Sequence, residues 1–227
     1  MKLLGIETST RACSVAVSDE ETPLALMTVA GKDRPSDHLM IAIEHCLKTA
    51  GLKAAELDGI AVSAGPGSFT GIRVGVTAAK TLALTLKKPV VAVSSLDVAA
   101  ANVPACRWPL WVLVDARKEK IYAARYETDG GGWPRRQGDE QLLTPEQTLA
   151  QLTGDIAVIG DALVRYGPML REHLGEHLHA LPPALWVPQA SAVCRLGGDL
   201  FRAQRHTDPH ALVPHYLHSK ESDVTGW

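Results

Sequence analysis

The chain has 227 residues, of which 46% are apolar and 21% charged, with a formal net charge of −2 at pH 7. This is the composition of an ordinary globular protein that can bury a core, as one large domain or two small ones. The charge balance gives no reason to expect strong nucleic-acid binding by this chain alone, and Lys80 interrupts the best apolar run, so no membrane span is read.

In chain order, Leu3 to Thr8, Ser14 to Ser18 and Leu24 to Ala30 are short, rich in apolar or β-branched residues and separated by turn signals, which predicts three strands. Pro35 and Ser36 then open a predicted helix to about Ala50, with Ser36 as N-cap and Gly51 as the stop. A strand at 59–63, a helix at 70–87 and a strand ending at Val93 complete a unit of alternating strands and helices, which implies a sheet with helix-covered faces. A boundary is expected near Asn102 to Pro109. We therefore expect an N-terminal α/β domain over 1–104 and a C-terminal one over 105–227. In the second, Trp108 to Val114 and Lys120 to Tyr126 predict a hairpin, and Thr128 to Arg136 reads as a mobile surface loop. A short helix past Thr144, a strand from Ile156 to Ile159 and a helix from Ser191 to about Gln204 follow. That last helix is expected to pack back on the first domain. No internal repeat of fixed period is visible.

The cysteines Cys13, Cys46, Cys106 and Cys194 are far apart and form no C-x-x-C pair. That argues against a zinc knuckle or a disulfide framework and fits a reducing cytoplasm. Met1 to Glu7 meets a charge too soon to read as a signal peptide.

The stretch Gly65-Pro66-Gly67-Ser68-Phe69-Thr70-Gly71-Ile72-Arg73-Val74-Gly75 stands between a predicted strand and a predicted helix. That layout aims backbone N–H groups and a helix N-terminus at an anion. Two strict phosphate motifs fail on counting. No G-K-[ST] occurs, so there is no Walker loop, and Thr70 occupies the third glycine position of a dinucleotide fingerprint.

Four stretches carry a family resemblance: Gly5-Ile6-Glu7-Thr8-Ser9-Thr10, the glycine stretch continued to Lys80, Val114-Asp115-Ala116-Arg117, and Val213-Pro214-His215-Tyr216-Leu217. In this order they resemble, over nearly the whole chain, the bacterial TsaB (YeaZ) family of tRNA threonylcarbamoyladenosine biosynthesis proteins. The resemblance implies an actin, sugar-kinase and heat-shock-ATPase type of fold with two similar domains, each a mixed sheet flanked by helices. It also implies a part in adding a threonylcarbamoyl group to an adenosine beside the anticodon of tRNAs reading codons that start with A.

The family's catalytic paralogue, TsaD, carries a similar opening and a G-P-G-L turn, and holds a metal through an H-x-x-x-H pair. Here those two positions fall on Ser95 and Ala99, which cannot replace two imidazoles. Arg11 stands where TsaD carries an acidic residue. His38 and His45 lie about 10 Å apart along a helix, too far to share an ion. His173, His177 and His179 read as solvated surface residues. No G-x-S-x-G elbow exists. The resemblance thus implies a non-catalytic scaffold that binds TsaD, with TsaE as third component, a homodimer when alone, and tRNA reached mainly through the complex. It implies no cofactor and no metal. Thr8, Ser9, Gly65, Pro66, Gly67 and Ser68 remain candidates for residual nucleotide binding. The alternative is a self-sufficient metal-dependent peptidase or nucleotide-hydrolysing enzyme.

Helical periodicity places Leu39, Met40, Ile43, Cys46, Leu47 and Ala50 on the core arc of the first helix, and Ile72, Gly75, Val76, Ala79, Leu82, Ala83 and Leu86 on that of the second. Ile41, Ala42, Val74 and Ala78 fall outside those arcs. Together with His45 and the small Gly71 and Gly75, they are the candidate partner interface.

Overall fold

Strand β1 (Lys2–Glu7) is apolar on both faces, as a strand in the middle of a helix-covered sheet must be. In the computed structural model, which describes residues 1–31, 35–128 and 132–217 apart from the side chains of Pro35 and Ser36, β1 takes that central place. It pairs antiparallel with β2 (Ala12–Asp19), which pairs antiparallel with β3 (Thr22–Ala30). On its other side β1 runs parallel to β4 (Gly59–Ser63), and β4 runs parallel to β5 (Val90–Val93). The order is β3-β2-β1-β4-β5.

Helices α1 (Leu39–Thr49) and α2 (Phe69–Leu86) bury one set of side chains against this sheet. Leu4, Ile6, Val15, Val17 and Val62 meet Ile43, Cys46, Ile72 and Val76 in one apolar core. A 3-10 turn over Pro35–His38 precedes α1, so regular helix begins later than Ser36; the proposed Ser36 cap lies outside the described side chains. Helix α1 does end at Gly51: its N–H donates to Lys48 O and that of Leu52 to Leu47 O, around a φ of +67° that glycine adopts readily.

Helix α6 (Ala190–Arg202) packs on β1, β2, β4 and β5. Its path is close enough that a Cβ on Gly5 would collide with Ala190 O and Cys194 Sγ. The chain accordingly divides into two compact units, Met1–Val98 with Pro188–His215, and Ala99–Val187 with the described residues from Tyr216. This differs from the expected division at 104/105: helix α3 (Ser95–Ala100) contains the division point, and Pro188–His215 joins the first unit because α6 covers its sheet.

In the second unit β6 (Leu110–Arg117) pairs antiparallel with β7 (Lys120–Thr128), and β7 with β8 (Pro134–Leu143). Beyond the short α4 (Pro145–Leu149), β9 (Ile156–Ile159) runs parallel to β6, and β10 (Leu178–Ala180) parallel to β9. The order β8-β7-β6-β9-β10 repeats that of the first sheet, strand sense for strand sense. Helix α5 (Ala162–Leu174) buries Leu163, Tyr166, Leu170 and Leu174 against Trp111, Leu113, Ile121 and Val158.

Three elements depart from expectation. The predicted mobile loop includes 129–131, which lie outside the described residues, and its Pro134 to Arg136 end is instead the start of β8. Helix α5 was not predicted, because Gly167 and Pro168 interrupt its pattern; Pro168 sits on the exposed side, where water can serve the carbonyl that lacks its N–H partner. The three-residue β10 was too short to read. Among the described residues, no helix is long and apolar enough to cross a membrane.

Candidate functional site

The glycine stretch turns from β4 into α2, with Ser68 as the helix N-cap; its Oγ accepts from the N–H of Gly71. Gly65 (φ +118°) and Gly67 (φ +156°) hold conformations that side chains resist. The second constraint comes from the turn after β1. A Cβ on Gly67 would collide with Ser9 O, one on Gly71 with Thr8 O, and one on Gly75 with Thr8 Oγ1. The glycines therefore let the protein's own β1–β2 turn lie on the first turns of α2.

Several of the polar groups there bond to each other. Thr8 Oγ1 donates to Gly71 O at 2.8 Å, and Ser68 N donates to Ser9 O at 2.7 Å. Ser95 N donates to Gly65 O at 2.9 Å, and Ser95 Oγ donates to Pro66 O. Thus Thr8, Ser9, Gly65, Pro66, Gly67 and Ser68 are brought together as the sequence suggested. Thr8, Ser9, Gly65 and Pro66 are buried, Gly67 is half-buried and Ser68 is exposed.

Sequence reasoning passed over Glu7 as a candidate, though it stands in the quoted opening stretch. It is 1% exposed; Oε1 accepts from Ser9 N at 2.5 Å, while Oε2 and the nearby buried Ser63 Oγ have no partner in hydrogen-bond geometry. Burial pushes the Glu7 carboxyl above its ordinary range, against the opposing influence of Ser63 and Ser9. The available signal was an ionisable residue ending an apolar strand.

The outer faces of α1 and α2 correct part of the interface expectation. Ile41 is 61% exposed and His45 is exposed, whereas Ala42 is fully buried and cannot meet a partner. Met40, assigned to the core arc, is 58% exposed. Residues 39 to 43 are all apolar, so periodicity could not set the phase of the buried arc; packing on the sheet did. Gly71 and Gly75 are also buried, and the group they admit is Thr8 of the same chain. Val74 and Ala78 are half-buried at the core margin. Phe69, which the arcs omitted, is 56% exposed, with the Arg73 guanidinium 3.7 Å from its ring centre.

In the second unit His177 and His179 converge on Asp155 at 3.3 and 3.1 Å, and His179 stacks on Trp108 at 3.6 Å. These bonds, that of His179 first, hold the Asp155 carboxyl below its ordinary range. Spacing alone did not reveal the shared carboxylate. Among the described residues no three His, Cys, Asp or Glu side chains form a group able to hold a metal. All four cysteines are free thiols, and burial pushes Cys13 up to about 11 and Cys194 up to about 12.

Two mixed five-stranded sheets of one topology, each flanked by helices, define the actin, sugar-kinase and heat-shock-ATPase class of fold. The activator of 2-hydroxyisocaproyl-CoA dehydratase from Clostridium difficile shares it, with a TM-score of 0.50 at 9% identity over 90% of this chain and 97% of that one. YeaZ from Pseudomonas aeruginosa is much more similar, with a TM-score of 0.80 and 26% identity over 95% of this chain and 99% of that one. The family described as TsaD, tRNA N6-adenosine threonylcarbamoyltransferase, matches residues 30–160. The tRNA threonylcarbamoyladenosine biosynthesis protein TsaB of Bacillus subtilis is 30% identical over 226 residues, 99% of this chain and 97% of that one. The chain belongs to the TsaB (YeaZ) family.

Proposed function

We propose that the chain is a non-catalytic subunit in threonylcarbamoyladenosine synthesis on tRNA, which acts by binding and activating TsaD. Its relatives' names support the process. The observation that carries the partner-binding reading is the apolar surface on α1 and α2, where Met40, Ile41 and Phe69 are each more than half exposed. Large apolar side chains exposed on a helix face in this number are the kind of surface that a partner covers. A stable interface buries on the order of 1,600 Å² in total, which two helices on each partner can supply. The same surface serves a homodimer when the chain is alone. TsaE joins as third component, tRNA is reached mainly through the complex, and the assembly works in the cytoplasm.

The chain needs no cofactor of its own in this reading. Of the backbone donors that would face a phosphate, Ser68 N is bonded to Ser9 O and Gly71 N to Ser68 Oγ, and the positions matching the TsaD ligand pair are Ser95, bonded to Pro66 O, and Ala99. The test is Ile41→Asp, which puts a charge into the desolvated centre of the interface. Because Ile41 is 61% exposed, the variant should melt within about 0.5 kcal/mol of the parent, yet lose self-association and TsaD binding. A folded variant that still binds TsaD overturns the proposed surface. Reconstituted tRNA modification that needs this chain, with no turnover of ATP or peptide by the chain alone, separates a subunit from a self-sufficient enzyme.

A further inference from the structure

The second unit carries a cavity of about 370 Å³ whose lining includes Trp111, Arg125, Gln137, Gln141, Gln151 and Thr153. Its size lies at the small end of the range of about 300–1,000 Å³ typical of ligand sites, enough for one nucleoside. The sheet builds it through an irregularity. Arg125 of β7 stands opposite both Trp111 of β6 and Gln137 of β8. The next pairing along β7 is Ala123 with Gln141, so β8 carries extra residues here, with Gly138 at φ +80°. Such a bulge re-aims side chains. This one sets Gln137 and Gln141 at the same cavity, and the segment before β9 adds Gln151.

The electrostatics select the ligand. Arg125 is the one cation among the lining residues, and its Nη2 is paired with Glu127 Oε1 at 2.6 Å, so the site is close to neutral and poorly suited to a free anion. What remains is a set of carboxamides. Gln151 Nε2 donates to Gln141 Oε1 at 2.8 Å, which leaves Gln151 one amide N–H and its own carbonyl and leaves Gln141 both of its amide N–H groups. Adjacent donor and acceptor on a planar group match a nucleobase edge, and a glutamine carboxamide pairs bidentately with N6 and N7 of adenine. A guanidinium held by a carboxylate supplies a plane on which an unstacked base can lie.

We propose that this glutamine-lined cavity binds an adenine base, from a free nucleoside or from an unpaired position in RNA. The site lies wholly in the second unit and does not depend on the partner-binding reading. Side-chain amide resonances of Gln141 and Gln151 in the full chain report on it. Adenosine, titrated to millimolar concentration, should shift both resonances, and Gln151→Ala or Gln141→Ala should abolish the remaining glutamine's response while circular dichroism shows an intact fold. If RNA supplies the base, a hairpin RNA with unpaired loop adenosines shifts the same resonances at lower concentration than adenosine does. If the ligand is a free nucleoside, only adenosine shifts them. Silence with both probes, an undiminished response in both variants, or shifts caused by inorganic phosphate in place of adenosine would overturn the proposal.

Discussion

Gly71 and Gly75 stand one turn apart at the start of α2 and both face Thr8, so an alanine at either position sets two effects against each other. Alanine favours a helix interior over glycine by about 1 kcal/mol. At Gly71, however, the new methyl would run into the carbonyl oxygen of Thr8, a backbone atom that cannot swing aside. Overpacking of this kind costs about 1–3 kcal/mol, so Gly71→Ala should lower stability in urea unfolding despite its better propensity. An unchanged or raised midpoint would show that the β1–β2 turn yields. Glu7 gives a pH-dependent counterpart. Its folded-state pKa is raised above the ordinary 4.5, chiefly by burial, so the folded form holds the proton more tightly. The linked stability is fully present below the unfolded pKa and is lost as pH rises through the folded one. The carboxamide introduced by Glu7→Gln keeps an acceptor for Ser9 N and gains a donor for Ser63 Oγ, with no charge to bury. The variant should match the parent in acid and exceed it increasingly above pH 4.5, as read from denaturant midpoints across pH. Parallel curves would mean that Glu7 is as well solvated ionised as neutral.

At the scale of elements the β6–β7 hairpin holds the most strained backbone. Arg117, Lys118 and Glu119 have φ of +64°, +46° and +56°, where a Cβ crowds the following carbonyl. Asp115 offsets part of this by accepting from the backbone N–H of Arg117 at 2.9 Å, and from its guanidinium at 3.3 Å. Glu119 is exposed, and its ion pair with Arg165, at 3.5 Å between two exposed side chains, contributes little. Glu119→Gly should therefore stabilise by up to about 1 kcal/mol, the relief of strain exceeding the entropy that glycine adds to the unfolded chain. A higher melting temperature is the expected reading, and a lower one would assign the ion pair more weight than exposure allows. The hairpin was legible in the sequence because two apolar runs flank a short charged link. Its left-handed turn was not, since none of the three residues is glycine, asparagine or aspartate. Helix α1 shows the complementary limit. Its existence and its end at Gly51 could be read from the sequence, but with residues 39 to 43 all apolar, which of them face outward could not.

For the whole molecule, the net charge of −2 and the pairing of several arginines with acidic side chains, as at Arg125 with Glu127 and Arg202 with Asp199, predict weak tRNA binding by the isolated chain. Filter binding at physiological salt should find no submicromolar affinity; a tight complex with a steep salt slope would reveal a basic face that these pairs do not neutralise. By itself the sequence determined the strand–helix alternation, the turn between β4 and α2, and a family resemblance, because glycine turns, caps and apolar periodicity are local and survive in linear order. Only the tertiary structure decided that the two sheets share one strand order without a visible repeat, since topology constrains pairing and burial but not residue identity. It also decided that Gly71 and Gly75 make room for Thr8, and that His177 and His179 meet at Asp155. Each of these is a contact between residues distant in sequence, and packing, which alone selects among the many such contacts a chain could make, leaves no local periodicity to read.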